Sequence, residues 1–348
     1  MKTRKFDYVV GTGGIGTGML FRFSEDRTLG RNESRMAQLT DVRDYCKQHI
    51  ILHYIAVLGP DIPVYAIGRV GEDTQGTKIL EMMERYRIRT DYIKRMKDAP
   101  TLFSVCFTYP DSDGGNITTS NSASSFVSNE DIDAFFKSKD ASGNGFVVAA
   151  PEVAVSVRKH LLIKGKENDC YTAASFASAE IEECMDENIL RYVDFLTVNK
   201  DEMRSIMRVF GYSEEAPFSE GYRRIRALNP NLQMIVTLGR EGAIVFSQAN
   251  QMKVPAIWRS AENTAGAGDC FLGTMIASML SGIPLMDTNK GAGSPVLASL
   301  AAALKVENKD TISQEITREA VYRASKEMGI EFTDRIYKNF FGSIIDSA

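Results

Sequence analysis

From about residue 140 onward, short apolar runs of strand character alternate with segments whose apolar residues recur at helical spacing. Phe146 to Ala150, Phe195 to Val198, Met234 to Leu238 and Ala243 to Phe246 read as strands. The first two each precede a helical pattern, and the last two flank a glycine-containing turn. Few architectures accept this order, because parallel strands need a long crossover and a helix usually supplies it. Runs that are apolar at successive positions are expected where both faces of a sheet are covered. The pattern predicts an α/β fold: a mostly parallel central sheet between two layers of helices.

The N-terminal part reads less regularly. Phe6 to Val10 is a short strand ending in a glycine loop, Gly11 to Gly18. Val42 to Val57 carries apolar residues at helical spacing and stops at Gly59-Pro60, which predicts a helix. Val64 to Ile67 reads as a strand and Thr77 to Tyr86 as a helix. Residues 101–109 read as a strand closed by the turn Pro110-Asp111-Ser112-Asp113-Gly114. Segments 18–41 and 92–127 fit the alternation poorly, and the second is β-rich with polar edges, so a small β lid inserted in the main body is predicted. At 348 residues the chain holds either one large α/β domain or two of roughly 150 residues each. No repeat or shift in composition marks a linker, so 1–348 is read as a single domain.

Lys and Arg number 41 against 45 Asp and Glu, a net charge of −4. That balance argues against a nucleic-acid binder, which carries a clear excess of base. Neither a secretory leader nor a run of roughly 18 apolar residues is present, so a cytoplasmic protein without membrane partners is expected. Cys46, Cys106, Cys170, Cys184 and Cys270 are odd in number and widely spaced, which suits reduced thiols, mostly buried.

Two glycine-rich stretches compete for attention. Gly11-Thr-Gly13-Gly14-Ile-Gly16 has the form G-x-G-x-x-G, but no helix of useful length follows, so a strand-end loop is the better reading. The second, Asn263-Thr-Ala-Gly-Ala-Gly-Asp269, runs into Cys270 to Leu280, a segment apolar nearly all round as a buried helix would be. Small residues let backbone N–H groups approach a ligand, and a helix N-terminus attracts anions. The amides of Ala265, Gly266, Ala267 and Gly268 are therefore a candidate phosphate site. Asp269 beside them would serve as a base, or would only cap the helix.

Asn263 to Asp269 resembles the D-T-x-G-A-G-D signature of the ribokinase-like (PfkB-type) carbohydrate kinases, with Asn263 at the first position. Other parts of the chain fall in that family's order. Val198-Asn199-Lys200-Asp201-Glu202 is similar to its N-x-x-E element, Val236 to Ala243 to its nucleotide-lining strand and turn, and Ile67 to Gly76 to its V-G-x-D-x-x-G stretch. The hairpin around Tyr109 to Gly115 resembles its lid strand. The resemblance implies a ribokinase-like three-layer α/β/α sandwich with a small β lid.

It also implies an ATP-dependent phosphotransferase acting on a hydroxyl of a sugar or sugar-like molecule, with nucleoside kinase and non-catalytic ligand binder as alternatives. In that reading Asp269 is the general base and residues 265–268 form the anion hole. Thr237, Gly239 and Asn199 border the nucleotide, while Glu202 and Asn199 orient Mg²⁺ through water. A monovalent cation near Asn263, whose missing charge weakens such a site, and a homodimer formed through the lid belong to the same set of expectations. The positions that usually hold sugar hydroxyls correspond to Gly18, Tyr45-Cys46 and Ile50, which lack the expected polar groups, so the substrate stays open.

Four weaker signals remain. His49 and His53 share a helical face, but without a glutamate at position 50 a surface or lid-facing pair is the better reading. The basic run Glu81 to Lys97 reads as a solvated face. Ser122 to Ser125 is either a substrate-touching turn or a plain loop. Trp258, the only tryptophan, is expected to pack beside the signature loop.

Overall fold

The computed structural model describes residues 5–111, 114–248, 250–286 and 291–345. Its strands are β1 (Tyr8–Thr12), β2 (Gly16–Arg22), β3 (Gln38–Tyr45), β4 (Val64–Gly71), β5 (Ile88–Met96), β6 (Leu102–Thr108), β7 (Gly114–Thr118), β8 (Gly145–Ala149), β9 (Tyr171–Ser175), β10 (Phe195–Asn199), β11 (Gln233–Thr237), β12 (Ala243–Ser247) and β13 (Asn250–Val254). The helices are α1 (Lys47–Leu58), α2 (Thr74–Arg85), α3 (Asn129–Phe136), α4 (Val155–Glu167), α5 (Ile181–Asp186), α6 (Lys200–Val209), α7 (Phe218–Leu228), α8 (Ala267–Leu280), α9 (Ser294–Val306), α10 (Arg318–Glu327), α11 (Asp334–Asn339) and α12 (Gly342–Ile345).

Nine strands form one sheet in the order β13-β12-β11-β10-β9-β8-β1-β4-β5. Pairing is parallel from β11 to β5 and antiparallel between β11 and β12 and between β12 and β13. Successive residues of its central strands feed opposite cores. Tyr8 and Val10 of β1 and Val147 of β8 pack with α3 to α7, whereas Val9 and Val148 pack with α1, α2 and α8. Both sides are buried, which is why these strands read as unbroken apolar runs. The α/β class and the layered, mostly parallel sheet expected from the sequence are what the chain forms.

A second sheet has the order β3-β2-β6-β7. Its limits differ from the segments 18–41 and 92–127 expected for a lid. β5, as far as Met96, pairs in parallel with β4 at the edge of the large sheet. Its charged residues, Arg89 and Arg95 among them, face solvent along an edge strand, as the basic run suggested. Ser112 and Asp113, at the tip of the expected turn, lie outside the described residues, as do residues 1–4.

The expected helix 42–57 is also corrected. Residues up to Tyr45 continue β3 and pair with β2, and α1 starts only at Lys47. Strand and helix periods overlap across the short stretch 42–49, so spacing alone could not divide it. Nor is the loop Gly11 to Gly18 an open loop: β1 runs through Thr12 and β2 begins at Gly16. Gly16 and Gly18 lie against Leu102 O and Ser104 Oγ of β6 so closely that a Cβ would collide. Those glycines serve strand approach. His49 and His53, expected as a surface or lid-facing pair, are fully buried in α1.

Candidate active site

The segment Asn263–Gly266 crosses to α8, whose N-cap is Gly266 at φ +77°. A side chain there would be strained and would meet Thr311 O at 2.6 Å, so the backbone demands glycine. Asn263 stiffens the approach: its Oδ1 accepts from Ala265 N at 2.9 Å and its Nδ2 donates to Lys309 O at 2.6 Å. Ala267 N donates back to Thr264 O at 3.2 Å. Of the four amides read from the sequence, Ala265 and Ala267 are thus engaged locally. Those of Gly266 and Gly268 have no partner among the described residues and are the donors a ligand could use. Around the Cβ position of Gly268 there is open space.

Asp269 follows in the first turn of α8, half-buried at the floor of a cleft of about 1160 Å³. The cleft also takes in Asn199, Thr237 and Gly239, so the structure gathers these expected residues from three separate strand and helix ends. Leu238, Ile257 and Val306 make part of the wall apolar. Trp258 stands in the same wall, 68% exposed.

Asn199 and Glu202 lock each other. Asn199 Oδ1 accepts from Glu202 N, and Glu202 Oε2 accepts from Asn199 N, both at 2.8 Å, a capping box at the start of α6. Glu202 Oε1 stays 3.6 Å from Lys47 Nζ. The N-x-x-E spacing therefore has a helix-capping function whatever else it does. With one oxygen committed, Glu202 suits a metal ion held through water, the usual manner of magnesium beside phosphates. Among the described residues no group of three or more His, Cys, Asp or Glu is arranged to cage a metal.

Lys47, which the sequence reading missed, is the positive centre of the site. Its Nζ donates to Phe176 O at 3.1 Å. Burial disfavours its charge, but Asp269, Glu202 and Glu152 outweigh burial and hold it above the ordinary lysine range. A lysine at the first position of a helix opposes the macrodipole, and Cys46 before it makes no side-chain cap. That local misfit is the signal that could have revealed it.

Glu152, also missed, follows β8 at φ +74°, and its Oε2 is buried with no hydrogen-bond partner among the described residues. Burial above all raises its carboxyl, with Asp269 and Asp44 adding to the rise and Cys46 and Lys47 opposing it, to about 7 on balance. Asp44, from β3, accepts from Cys106 Sγ at 3.0 Å and from Ser104 Oγ at 3.4 Å on β6, and burial raises its carboxyl as well. Here the small sheet meets the residue that follows β8, and both carboxyls lie near enough to Asp269 to act on its charge. Burial likewise raises Asp269 to about 6, against the pull of Lys47.

The three substrate positions read from the sequence separate. Gly18 lies beside Ser104 and Asp44, so the polar groups come from its neighbours. Tyr45 ends β3, its N donating to Thr311 Oγ1 at 3.1 Å and its ring edge-on to His49. Ile50 is buried in the core against Gly266 and is not among the residues that line this cleft. Ser124 in the expected turn accepts from Ile15 N at 3.1 Å through its Oγ, which gives that turn a structural role.

Several known proteins are similar to this chain. A deoxyribokinase of Salmonella typhi is 26% identical over 216 residues, 60% of this chain and 66% of that protein, so the chain matches just under two thirds of the relative. The ribokinase of Cryptococcus neoformans var. grubii serotype A, solved with ADP, superposes with a TM-score of 0.75 at 20% identity, covering 91% of this chain and 99% of that one. A nucleoside kinase of Burkholderia thailandensis, solved with inosine, gives a TM-score of 0.70 at 16% identity, covering 93% and 99%. These structural likenesses establish the ribokinase fold. The model of the pfkB family carbohydrate kinases matches residues 51–318, well over half of the sequence, and the chain belongs to that family.

Proposed function

We propose that the chain transfers the γ-phosphoryl group of ATP to a hydroxyl of a small sugar or sugar-like molecule, with Asp269 as general base. The observation that carries this reading is the placement of Asp269 one residue beyond the open amide of Gly268, in a cleft that also holds Lys47, Asn199 and Thr237. The relatives solved with ADP and with inosine support a nucleotide in the cleft and a ribose-bearing acceptor next to it.

In this reading the acceptor lies toward Asp44, Ser104, Cys106 and Glu152. Its hydroxyl oxygen attacks the γ-phosphorus, its proton passes to an Asp269 oxygen, and ADP leaves. The N–H groups of Gly266 and Gly268 and the Lys47 ammonium take up charge on the transferred oxygens, which is where phosphoryl transfer gains most from a protein. Thr237 and Gly239 border the nucleotide. Bound Mg²⁺ would neutralise phosphate charge, oriented through water by Glu202 and Asn199.

A coupled assay with ATP against ribose, deoxyribose, other sugars and nucleosides tests the reading. Asp269→Asn should lower turnover on the accepted substrate by about 10²–10⁴, the usual worth of general-base assistance, with ADP affinity nearly unchanged. Turnover by the variant at the wild-type rate would remove Asp269 from the chemistry. ADP binding with no substrate accepted anywhere would favour a non-catalytic ligand binder. A homodimer through the small sheet belongs to the same reading, since Met36, Leu39 and Ile117 expose apolar side chains there.

A further inference from the structure

The resemblance implies a monovalent cation beside the signature loop, and the groups found there do not fit one. Lys305, in the last turn of α9, is completely buried, and its Nζ donates to the backbone carbonyl of Asn263 at 2.9 Å. Glu262 N and Asn263 N both donate to Val306 O, at 2.7 and 3.1 Å, so the loop and the end of α9 are laced together around that ammonium. Asn263 brings no charge, and its Oδ1 and backbone oxygen are both occupied. A metal cation in this place would face a positive charge already fixed by the fold.

A buried ammonium is tolerated only where hydrogen bonds and opposite charge surround it. Here it has the loop carbonyl and the negative end of α9. Its charge also reaches the carboxylates of Asp269 and Asp44, both of which it favours in ionised form.

We propose that the Lys305 ammonium takes the place of a monovalent cation beneath the Asn263–Gly266 loop, holding the phosphate-binding amides in position, so that nucleotide binding needs no potassium. Lys305 is a positioning residue: it touches Asn263 and acts on the anion site through the loop. The inference rests on the kinase reading only where ADP is the probe.

The test compares the full chain in potassium, sodium and choline chloride at equal ionic strength. Melting temperature is measured without ligand, and ADP affinity by calorimetry. The wild type should melt at the same temperature in all three salts and bind ADP within about twofold, since a ligand that does not bind the native state cannot stabilise it. Lys305→Met should weaken ADP by about tenfold in choline, about 1.4 kcal/mol, and potassium should restore part of that loss and raise the melting temperature of the variant alone.

A potassium-specific rise in wild-type melting temperature overturns the proposal, and this arm stands even if Lys305→Met does not fold. ADP binding by Lys305→Met equal to wild type in choline overturns it as well. Absence of ADP binding by the wild type in every salt strikes the kinase reading instead, and the melting curves still decide the role of Lys305.

Discussion

Asp269 must be ionised to accept a proton, and burial holds its carboxyl at about 6. Turnover should therefore climb as pH rises through that value and level off above it. Asp269→Asn removes the group, so its residual rate should lose this limb; a kcat profile from pH 5 to 9 compares the two. An unchanged acid limb in the variant would assign the titration to another group, Glu152 at about 7 being the first candidate. Of the residues that meet here, Asp269 and Asn199 were legible because each sits in a short motif next to its own helix start. Lys47, Glu152 and Asp44 were not. Each is an ordinary charged residue in its own segment, and only the approach of β3, β8 and α1 makes it part of one electrostatic group.

At the scale of elements, the start of α8 separates two glycines that look equivalent in sequence. Gly266→Ala forces an L residue to a positive φ, costing about 1–2 kcal/mol before the contact with Thr311 O is counted. Gly268→Ala meets nothing within 4 Å and replaces a helical glycine, a change worth roughly 1 kcal/mol in its favour, but it sets a methyl group beside a candidate phosphate-binding amide. Thermal melts should show the first variant destabilised and the second not, while ADP titration should show both weakened. If Gly268→Ala bound ADP like wild type, that amide would not be at the phosphate.

Helix α1 makes a second element-scale prediction. Burial holds the imidazoles of His49 and His53 at about 3, and their ring nitrogens lack hydrogen-bond partners among the described residues. The unfolded chain takes up these protons near 6.5, the folded chain only near 3, so their contribution favours the fold above 6.5 and is lost as pH falls below it. Glu152 and Asp269, whose carboxyls are raised, act in the opposite sense between their unfolded values and about 6–7. The double variant His49→Leu, His53→Leu isolates the histidines. Its melting temperature should fall less than that of wild type between pH 7.5 and 5; an equal fall would place the acid sensitivity elsewhere. The sequence showed this pair on one helical face but not which face, because α1 is apolar on nearly every side.

For the whole molecule, the proposed assembly turns on the small sheet. Ile117 on β7 is 71% exposed, Leu39 on β3 46% and nearby Met36 92%, so both edges of the sheet leave large apolar side chains to water. If two copies pair through it, light scattering should give a mass near twice 38.6 kDa, and Ile117→Asp should halve it without lowering the melting temperature of the isolated fold. A monomeric wild type across the concentration range would end that reading.

Sequence alone determined the class of fold and the loop proposed to carry the chemistry. Alternating runs favour a covered, mostly parallel sheet, and a stretch of small residues ending in an acid describes a helix start without reference to anything distant. Tertiary structure alone decided which charges surround Asp269, how the amides of the loop are divided between the fold and a ligand, and that Lys305 lies beneath them. The physical reason is range. Helix and strand periods, caps and turns are set by neighbours along the chain, whereas burial and electrostatic pairing depend on segments such as 44–47, 152, 269 and 305 that become neighbours only when the sheet and its helices close.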